Sequence, residues 1–472
     1  MSHYLHKASR PATFLFRSTG IVAISLGIGT PAYAQASDAE AIRAELAQMR
    51  AQMERMADRI EQLEGELGAA KAETARAAQT AASAQAIAEA AAAVPARPEK
   101  VEWKGAPKIA TSDGWSFKPR GRLQFDAGFI DAFDSERVAD GFANEVRRAR
   151  LGVEGTMPGG FGYKFEVDFA GADAQITDGI LTYKSGDVKL TAGQHNNFQG
   201  LDELTSSLSN SFMERAAFTD AFGFERRVGL SAQYEAGIVL VQGGLFTDNF
   251  EDLPNGNWGA DGRVVVMPKF GNAQLHFGAS VHYTDIAQDS DVNSVRYRQR
   301  PMVHFTGTRF VDTGALLALA ETGYGLEAAA IAGPFHVASE ASWQRTDRIA
   351  DFADPTFFGA YVEAGYFLTR GDRRGYKPGV FDRVKPENPV GEGGIGAIQV
   401  NVRYDYLDLV DAGISGGTQN GYEISLIWTP TAWTRLMLDY GHIEYDGAVY
   451  PNPAGSRSYA VDAFGMRAQV DF

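Results

Sequence analysis

From Trp115 to the C-terminus the chain alternates apolar and polar residues with a period of two. Phe161, Tyr163, Phe165, Val167 and Phe169 take one face of such a segment, and Gly162, Lys164, Glu166, Asp168 and Ala170 take the other. Leu275, Phe277, Ala279, Val281 and Tyr283 oppose His276, Gly278, Ser280 and His282 in the same way. So do Ile398, Val400, Val402, Tyr404 and Tyr406 against Gln399, Asn401, Arg403 and Asp405, and Phe464, Met466, Ala468, Val470 and Phe472 against Gly465, Arg467, Gln469 and Asp471. Successive side chains of a strand point to opposite faces, so each segment is a strand with one apolar and one polar surface. A soluble sandwich also alternates. Its strands average about five or six residues, however, whereas a strand crossing a membrane needs about ten. These segments are of the longer kind, carry aromatics at their ends, and place charges on the polar face, which suits a wet lumen. The pattern predicts an all-β transmembrane barrel.

The N-terminus agrees with that destination. Lys7, Arg10 and Arg17 precede an uncharged, mostly apolar run at 19–29 and then Pro31-Ala32-Tyr33-Ala34. This is the order of a secretory signal, so residues 1–34 are expected to be removed on export. The run is about half the roughly 20 residues of a spanning helix, and no later charge-free stretch reaches that spanning length. Closed barrels are the other way to satisfy backbone groups in a bilayer. The chain has no cysteine, which removes disulfide scaffolds, thiolate metal sites and thiol nucleophiles. Its 44 Lys plus Arg against 59 Asp plus Glu give a net charge of −15, which argues against a general nucleic-acid binder.

Between signal and barrel the period changes. Ile42, Leu46, Met49, Met53, Met56, Ile60, Leu63 and Leu67 recur at alternating spacings of 4 and 3, the a/d repeat of a coiled coil. The register continues with a thinner seam through Ala70, Thr74, Ala77, Ala81, Ala84 and Ala88 until Pro95-Ala96-Arg97-Pro98 stops it. The expected organisation is a signal peptide at 1–34, a periplasmic coiled coil at 35–94, a linker at 95–112 and a barrel at 113–472.

Seventeen stretches read as strands, beginning near 117, 143, 161, 178, 187, 225, 237, 261, 273, 296, 324, 335, 358, 396, 420, 433 and 460. Bacterial barrels have even strand counts, with short periplasmic turns alternating with longer extracellular loops. Counting 296–306 as a strand places the tight 332–334 link outside and the long 346–357 link in the periplasm. Leaving it out restores the alternation and gives 16 antiparallel strands. Residues 285–323 and 196–224 then become long loops, and one long periplasmic connection remains at about 370–395. Such a barrel holds an aqueous channel that long loops narrow.

The basic residues cluster. Arg296, Arg298 and Arg300 alternate, so an extended segment sets three guanidinium groups on one side, about 6.5–7 Å apart. Arg147, Arg148 and Arg150 lie in the second strand, Arg215 in the 196–224 loop, and Arg226 and Arg227 open the strand after it. Guanidinium keeps its charge and its planar fork fits phosphate and carboxylate oxygens, so together these residues predict a lumenal anion path. Neutralisation by Glu145, Glu214 or Glu225 is the competing arrangement. Two formal motif matches carry no chemistry. Gly391-Glu392-Gly393-Gly394-Ile395-Gly396 precedes a strand instead of linking strand to helix, and Gly413-Ile414-Ser415-Gly416-Gly417 lacks the strand–turn–helix of a nucleophile elbow. The His residues show no metal-ligand spacing, His276 and His282 being expected as solvated lumenal side chains. No catalytic site, metal or cofactor is expected.

The order of several short stretches resembles the phosphate-selective porin O/P family. They are Gly121-Arg122-Leu123-Gln124, Arg147-Arg148-Ala149, Thr205-Ser206-Ser207, Glu214-Arg215, the Arg296/Arg298/Arg300 triplet, Lys385-Pro386-Glu387-Asn388, Arg403-Tyr404-Asp405 and the terminal Phe472. The resemblance implies a homotrimeric sixteen-stranded porin of the Gram-negative outer membrane, with outer-membrane lipid around it and the barrel assembly machinery recognising Phe472. It implies that Arg296, Arg298 and Arg300 form a ladder leading anions inward, with Arg147, Arg148 and Arg215 at the constriction and Asp178 as an acidic residue there. Where the family pattern has a lysine before Thr-Ser-Ser, this chain has Leu201-Asp202-Glu203-Leu204, and an acid at Glu203 weakens the case for phosphate. The leading expectation is passive diffusion of anions, with phosphate or polyphosphate as one candidate solute. The alternatives are a general or cation-preferring porin, in which Asp178, Asp202 and Glu203 neutralise the arginines, and a structural tether whose coiled coil contacts the cell wall.

Overall fold

The computed structural model describes residues 35–92, 100–133, 138, 140–251, 256–288 and 293–472, so the expected signal at 1–34 lies outside the described residues. The chain divides into two units, Met1–Pro95 and Ala96–Phe472. The described part of the first is one helix, α1 (Gln35–Ala92), rich in the strong helix former Ala and ending before Pro95. Along it Met49, Met53, Met56, Ile60, Leu63 and Leu67 are all exposed. No described helix is long and apolar enough to cross a membrane.

The second unit is a closed antiparallel barrel of sixteen strands. Its first half is β1 (Ser116–Asp131), β2 (Gly141–Met157), β3 (Phe161–Asp168), β4 (Gln175–Ser185), β5 (Val188–Asn196), β6 (Arg226–Ala236), β7 (Val239–Phe246) and β8 (Trp258–Val266). Its second half is β9 (Ala273–Asp285), β10 (Leu316–Ala332), β11 (Phe335–Arg348), β12 (Thr356–Phe367), β13 (Ala397–Asp411), β14 (Ile414–Thr431), β15 (Thr434–Asp446) and β16 (Tyr459–Asp471). Each strand pairs with its sequence neighbour, and β16 closes on β1 from Asp462↔Asp131 to Asp471↔Arg122. Closure leaves no unpaired edge within that register.

The faces are inverted relative to a soluble protein. Leu123, Phe125 and Phe129 of β1, Tyr422, Ile424 and Leu426 of β14, and Phe464 and Met466 of β16 are exposed. Between them Gln124, Asp126, Arg403, Asp405, Arg467 and Gln469 are buried in the interior. Aromatic pairs mark both ends of the outer face, as with Phe335 and Tyr366 (ring centroids 4.5 Å) and Trp343 and Phe358 (5.2 Å). This is the lipid-facing band of a membrane barrel with its girdles.

Turns at 158–160, 186–187, 237–238, 333–334 and 432–433 form a short-turn rim, and longer links gather at the other. The β13–β14 link on the long-loop rim is itself only Ala412-Gly413, with φ of 50° and 81°. Consecutive left-handed residues give a turn whose twist matches the paired strands. The long connection expected on the short-turn rim is present at 368–396. The stretch excluded from the strand count stays out of the wall, since Arg298–Gln299 pairs only with Val311–Asp312 in a separate ribbon. The following strand begins at Leu316 instead of near 324, so the loop spans 286–315. The expected linker also contains structure: Lys100–Lys104 and Ala106–Ala110 form a hairpin on the edge of β1.

Three segments fold into the interior. The segment 197–225 crosses it, the ribbon within 286–315 enters beside it from the long-loop rim, and 368–396 enters from the other. The wall holds the first by its backbone. Glu340 accepts the amides of Leu201 (2.6 Å) and Asp202 (2.7 Å), Asp439 that of Met213 (2.6 Å) and Asp405 that of Ala217 (2.9 Å). Arg435 donates to the carbonyls of Leu208 and Asn210, both at 2.8 Å, and Arg467 to that of Met213 (2.5 Å). An irregular buried segment needs such partners, because orphaned backbone groups cost as much as lost hydrogen bonds. The 368–396 segment meets the crossing one where the Phe381 amide donates to Thr205 Oγ1 (3.3 Å).

Candidate functional site

Consecutive residues of a regular strand point to opposite faces, so Arg147 and Arg148 face one lumen only if the strand breaks register. It does: between Gln124↔Arg148 and Phe125↔Val146 the ladder skips Arg147, a bulge in β2. A bulge inserts one residue and re-aims the side chains beside it. Arg147 donates to both oxygens of Glu214 (2.9 and 3.0 Å) on the crossing segment, and Arg148 to Gln124 Oε1 (2.9 Å) on the inner face of β1. A second bulge, between Glu166↔Asp178 and Val167↔Ile176, skips Thr177 and turns Thr177 inward beside Asp178.

Asp178 is shared by Lys164 (2.6 Å) and Arg226 (3.3 Å). Arg150 pairs with Asp168 (2.7 Å) and Glu166 (3.4 Å), and Arg120 with Glu154 (2.5 Å). Arg215 lies 3.2 Å from Glu203, and Arg467 donates to Glu214 (2.8 Å) and to both oxygens of Asp126. The exceptions are informative. Arg122 donates to Ser207 Oγ (2.8 Å) and Ser206 Oγ (3.4 Å), and Arg148 to an amide oxygen. Among the described residues neither has a carboxylate within the 4.0 Å of an ion pair.

A cavity of about 160 Å³ opens beside this cluster, bounded by Arg147, Arg215 and Arg300 and by Glu203, Glu214 and Asp220. A second, of about 450 Å³, is lined by Arg147, Arg150 and Arg226 with Glu145, Asp168 and Glu225. Both touch Arg147 and His304. Each arginine of the smaller cavity has one of its acids as partner, Arg300 lying 3.3 Å from Asp220. Glu203 sits in one turn of helix, Leu201–Leu204, is buried, and accepts from Asn196 Nδ2 (3.2 Å). Burial pushes its carboxyl up from the ordinary range, against the pull of Arg215 and Arg226. Burial also opposes ionisation of Glu214, but Arg147 and Arg467 hold that carboxyl well below its usual value.

The structure thus brings together Arg147, Arg148, Arg215, Arg300 and Glu203, with Asp178 on the neighbouring wall. The triplet divides. Arg296, Arg298 and Arg300 do alternate with buried Tyr297 and Gln299, but only Arg300 lines the smaller cavity. Arg296 is held by Asp312 (2.7 and 2.5 Å), and Arg298 is exposed with no carboxylate partner among the described residues. Arg309, absent from the sequence reading, lies near Arg300 and Arg298, and burial together with those charges pushes it down to about 10. Arg122 and Lys164 were also missed. Both stand on the polar face of alternating segments, which was the signal available.

Other expectations are corrected or explained. His276 and His282 are buried instead of solvated. His276 bonds the Tyr376 hydroxyl (2.8 Å) and Glu327 (2.9 Å), and His282 pairs with Asp261 and bonds Thr284 Oγ1 (2.9 Å). Glu214 neutralises arginine as weighed, Glu225 lies 3.5 Å from Arg227, and Glu145 pairs with His304 (2.9 Å). The glycines at 391, 393 and 396 have φ of 93°, 88° and 78°, a backbone use in turns before β13.

A family model described as "Phosphate-selective porin O and P" matches residues 117–472, nearly all of the barrel unit. The chain belongs to the phosphate-selective porin O and P family. An uncharacterized protein of Caulobacter vibrioides is 46% identical over 389 residues, covering 79% of this chain and 78% of that one. Porin O of Pseudomonas aeruginosa is 27% identical over 351 residues, covering 67% and 78%. Among solved structures, an anion-selective porin from Comamonas acidovorans superposes with a TM-score of 0.50 at 11% identity, over 76% of this chain and all of that one. OmpF of Salmonella typhi gives 0.50 at 11%, over 77% and 100%. These likenesses are of fold. With the family they make the protein an outer-membrane porin of a Gram-negative bacterium, a channel by architecture instead of an enzyme.

Proposed function

We propose that this porin passes small anions by passive diffusion, with a preference set by a few uncompensated guanidinium groups and without tight retention of phosphate. The observation that carries the reading is the contrast between Arg122 and Arg148, whose partners are neutral, and the ion-paired arginines around them. A paired guanidinium presents little net field to a passing ion, whereas an unpaired one in a narrow, low-dielectric passage acts at full strength. Arg298 and Arg309 extend the excess toward the mouth. Arg296 and Arg300 contribute less than the ladder expectation implies, because Asp312 and Asp220 offset them. The pairing of Arg147, Arg215 and Arg300 with Glu214, Glu203 and Asp220 also favours a second reading, a general porin of weak selectivity.

Chloride conductance in the presence of added phosphate separates these from a phosphate-specific channel. Millimolar phosphate is expected to block the wild-type current weakly, and Glu203→Lys to deepen the block by adding a cation beside Arg215. Strong block of the wild type contradicts the reading.

For the rest of the chain we carry the sequence expectations forward as proposals: an export signal at 1–34, a periplasmic coiled coil at 35–94, a connecting stretch to 112, trimers, contact of the helix with the cell wall, and recognition of Phe472 during barrel assembly. The exposed Met, Ile and Leu seam of α1 supports self-association, since a row of apolar residues on one helix gains by meeting its like. Phe472 exchanges two hydrogen bonds with Gly121 (3.2 and 3.0 Å) at the closing seam of the barrel.

A further inference from the structure

The wall has a step where it closes. β16 ends at Asp471, and Phe472 bonds Gly121, but β1 begins at Ser116 and so continues past that point toward the short-turn rim. Along 116–120 the edge of β1 that faced β16 has lost its partner. The hairpin of Lys100–Lys104 and Ala106–Ala110 takes that place, pairing Ile109↔Phe117 and Ala110↔Ser116. Its tip is seated. Gly105 turns with φ of 79°, and a Cβ there would lie 2.6 Å from the Trp433 ring, on whose face Arg383 stacks at 4.4 Å.

The register sorts the hairpin into two faces. Val101↔Ile109 and Trp103↔Pro107 share one, and Glu102↔Lys108 lies on the other. The apolar face joins Phe117, which points to the outside of the barrel on the same side as Leu123, Phe125 and Phe129. Trp103 is 74% exposed and Val101 51%. Covering an edge requires only backbone hydrogen bonds. It gives no reason for a tryptophan standing free in continuation of a lipid-facing surface.

Depth decides what meets it. Phe117 lies 12 residues from Phe129, about 40 Å of strand and roughly 30 Å along the membrane normal at a tilt near 40°. An apolar band about 25 Å tall that includes Phe129 ends before Phe117, and short turns mark the periplasmic rim. The hairpin is therefore level with the headgroups of the periplasmic leaflet, the layer in which tryptophan is enriched. We infer that Val101, Trp103, Ile109 and Phe117 form an interfacial anchor on periplasmic-leaflet phospholipid, with Lys108 on the opposite face toward water.

The cysteine-free full chain allows a direct test. Single-cysteine variants Val101→Cys, Glu102→Cys, Trp103→Cys and Lys108→Cys are labelled with a polarity-sensitive fluorophore and reconstituted in phosphatidylglycerol-containing vesicles, with Leu123→Cys as the control on the lipid-facing wall. The anchor predicts a period of two. Probes at 101 and 103 are quenched by brominated lipid and protected from iodide, and those at 102 and 108 behave in the opposite way. Equal access of iodide to 101 and 103 as to 102 and 108 overturns it. So does shielding of 101 and 103 from both quenchers together with disulfide-linked dimers on oxidation of the unlabelled Trp103→Cys variant, which assigns the face to a second copy. Failure of the Leu123 probe to see lipid removes the membrane reading itself, whereas success there with failure at 101 and 103 removes only the anchor.

Discussion

Arg147 and Arg148 show how a single inserted residue changes what a strand does. Period-two logic allows one of two neighbouring arginines to face the lumen, and the bulge opposite Gln124 and Phe125 supplies the second. No sequence signal fixes a bulge at one residue, so the cluster was legible as composition and not as geometry. Arg122 and Lys164 were legible and overlooked, because they stand singly and lack the conspicuous spacing of Arg296, Arg298 and Arg300. The pairing of Glu203 with Arg215 leads to a pH prediction. Burial raises the Glu203 carboxyl, so its negative charge is lost at a higher pH than that of a free carboxylate as the solution is acidified. Below that point Arg215 stands uncompensated, and anion preference rises as pH falls. Glu203→Gln is expected to show the higher preference already at neutral pH and a flatter profile, read as reversal potential against pH. An unchanged profile places Glu203 away from the ion path.

At the scale of elements, the crossing segment 197–225 takes up much of the charge on the inner wall. Glu340, Asp405 and Asp439 are spent on its amides, and Arg435 and Arg467 on its carbonyls. Removing one such acceptor leaves buried donors unsatisfied, at about 1–3 kcal/mol each. Glu340→Ala, which strands the Leu201 and Asp202 amides, is expected to loosen the start of the segment and raise open-channel conductance and current noise. A wild-type conductance with unchanged noise shows that the other contacts suffice. The strands were readable because alternation is local. Parity and link length were enough to exclude 296–306, since both follow from closure of the barrel. The start of β10 was misplaced by several residues because Leu316–Ala320 is apolar on both faces: Leu316, Ala318 and Ala320 are buried and Leu317 and Leu319 exposed, so the strand alternates in burial without a polar face to show it in sequence. The hairpin at 100–110 was hidden for another reason. Five-residue strands, one preceded by Pro98 and the other containing Pro107, look like a linker until the step in the barrel gives them an edge to pair with.

For the whole molecule, net charge is a poor guide. A total of −15 does not describe the lumen, where Arg122 and Arg148 have neutral partners while Glu340 and Asp439 accept backbone amides, and exposed charges farther away than about 8 Å are screened at physiological ionic strength. The two units carry separate predictions. Deleting 38–94 removes the exposed seam and leaves every barrel strand intact, so barrel oligomers are expected to persist on native gels of the extracted protein. Monomers would make the helix the main assembly element. The central claim, that Arg122 and Arg148 give the channel its preference, is tested most directly by the reversal potential across a planar bilayer under a dilute KCl gradient. The wild type is expected to reverse on the chloride side of zero, and the double variant Arg122→Ala, Arg148→Ala to move most of the way to zero or to the potassium side. A potassium-selective wild type, or a double variant with an unchanged reversal potential, contradicts the account.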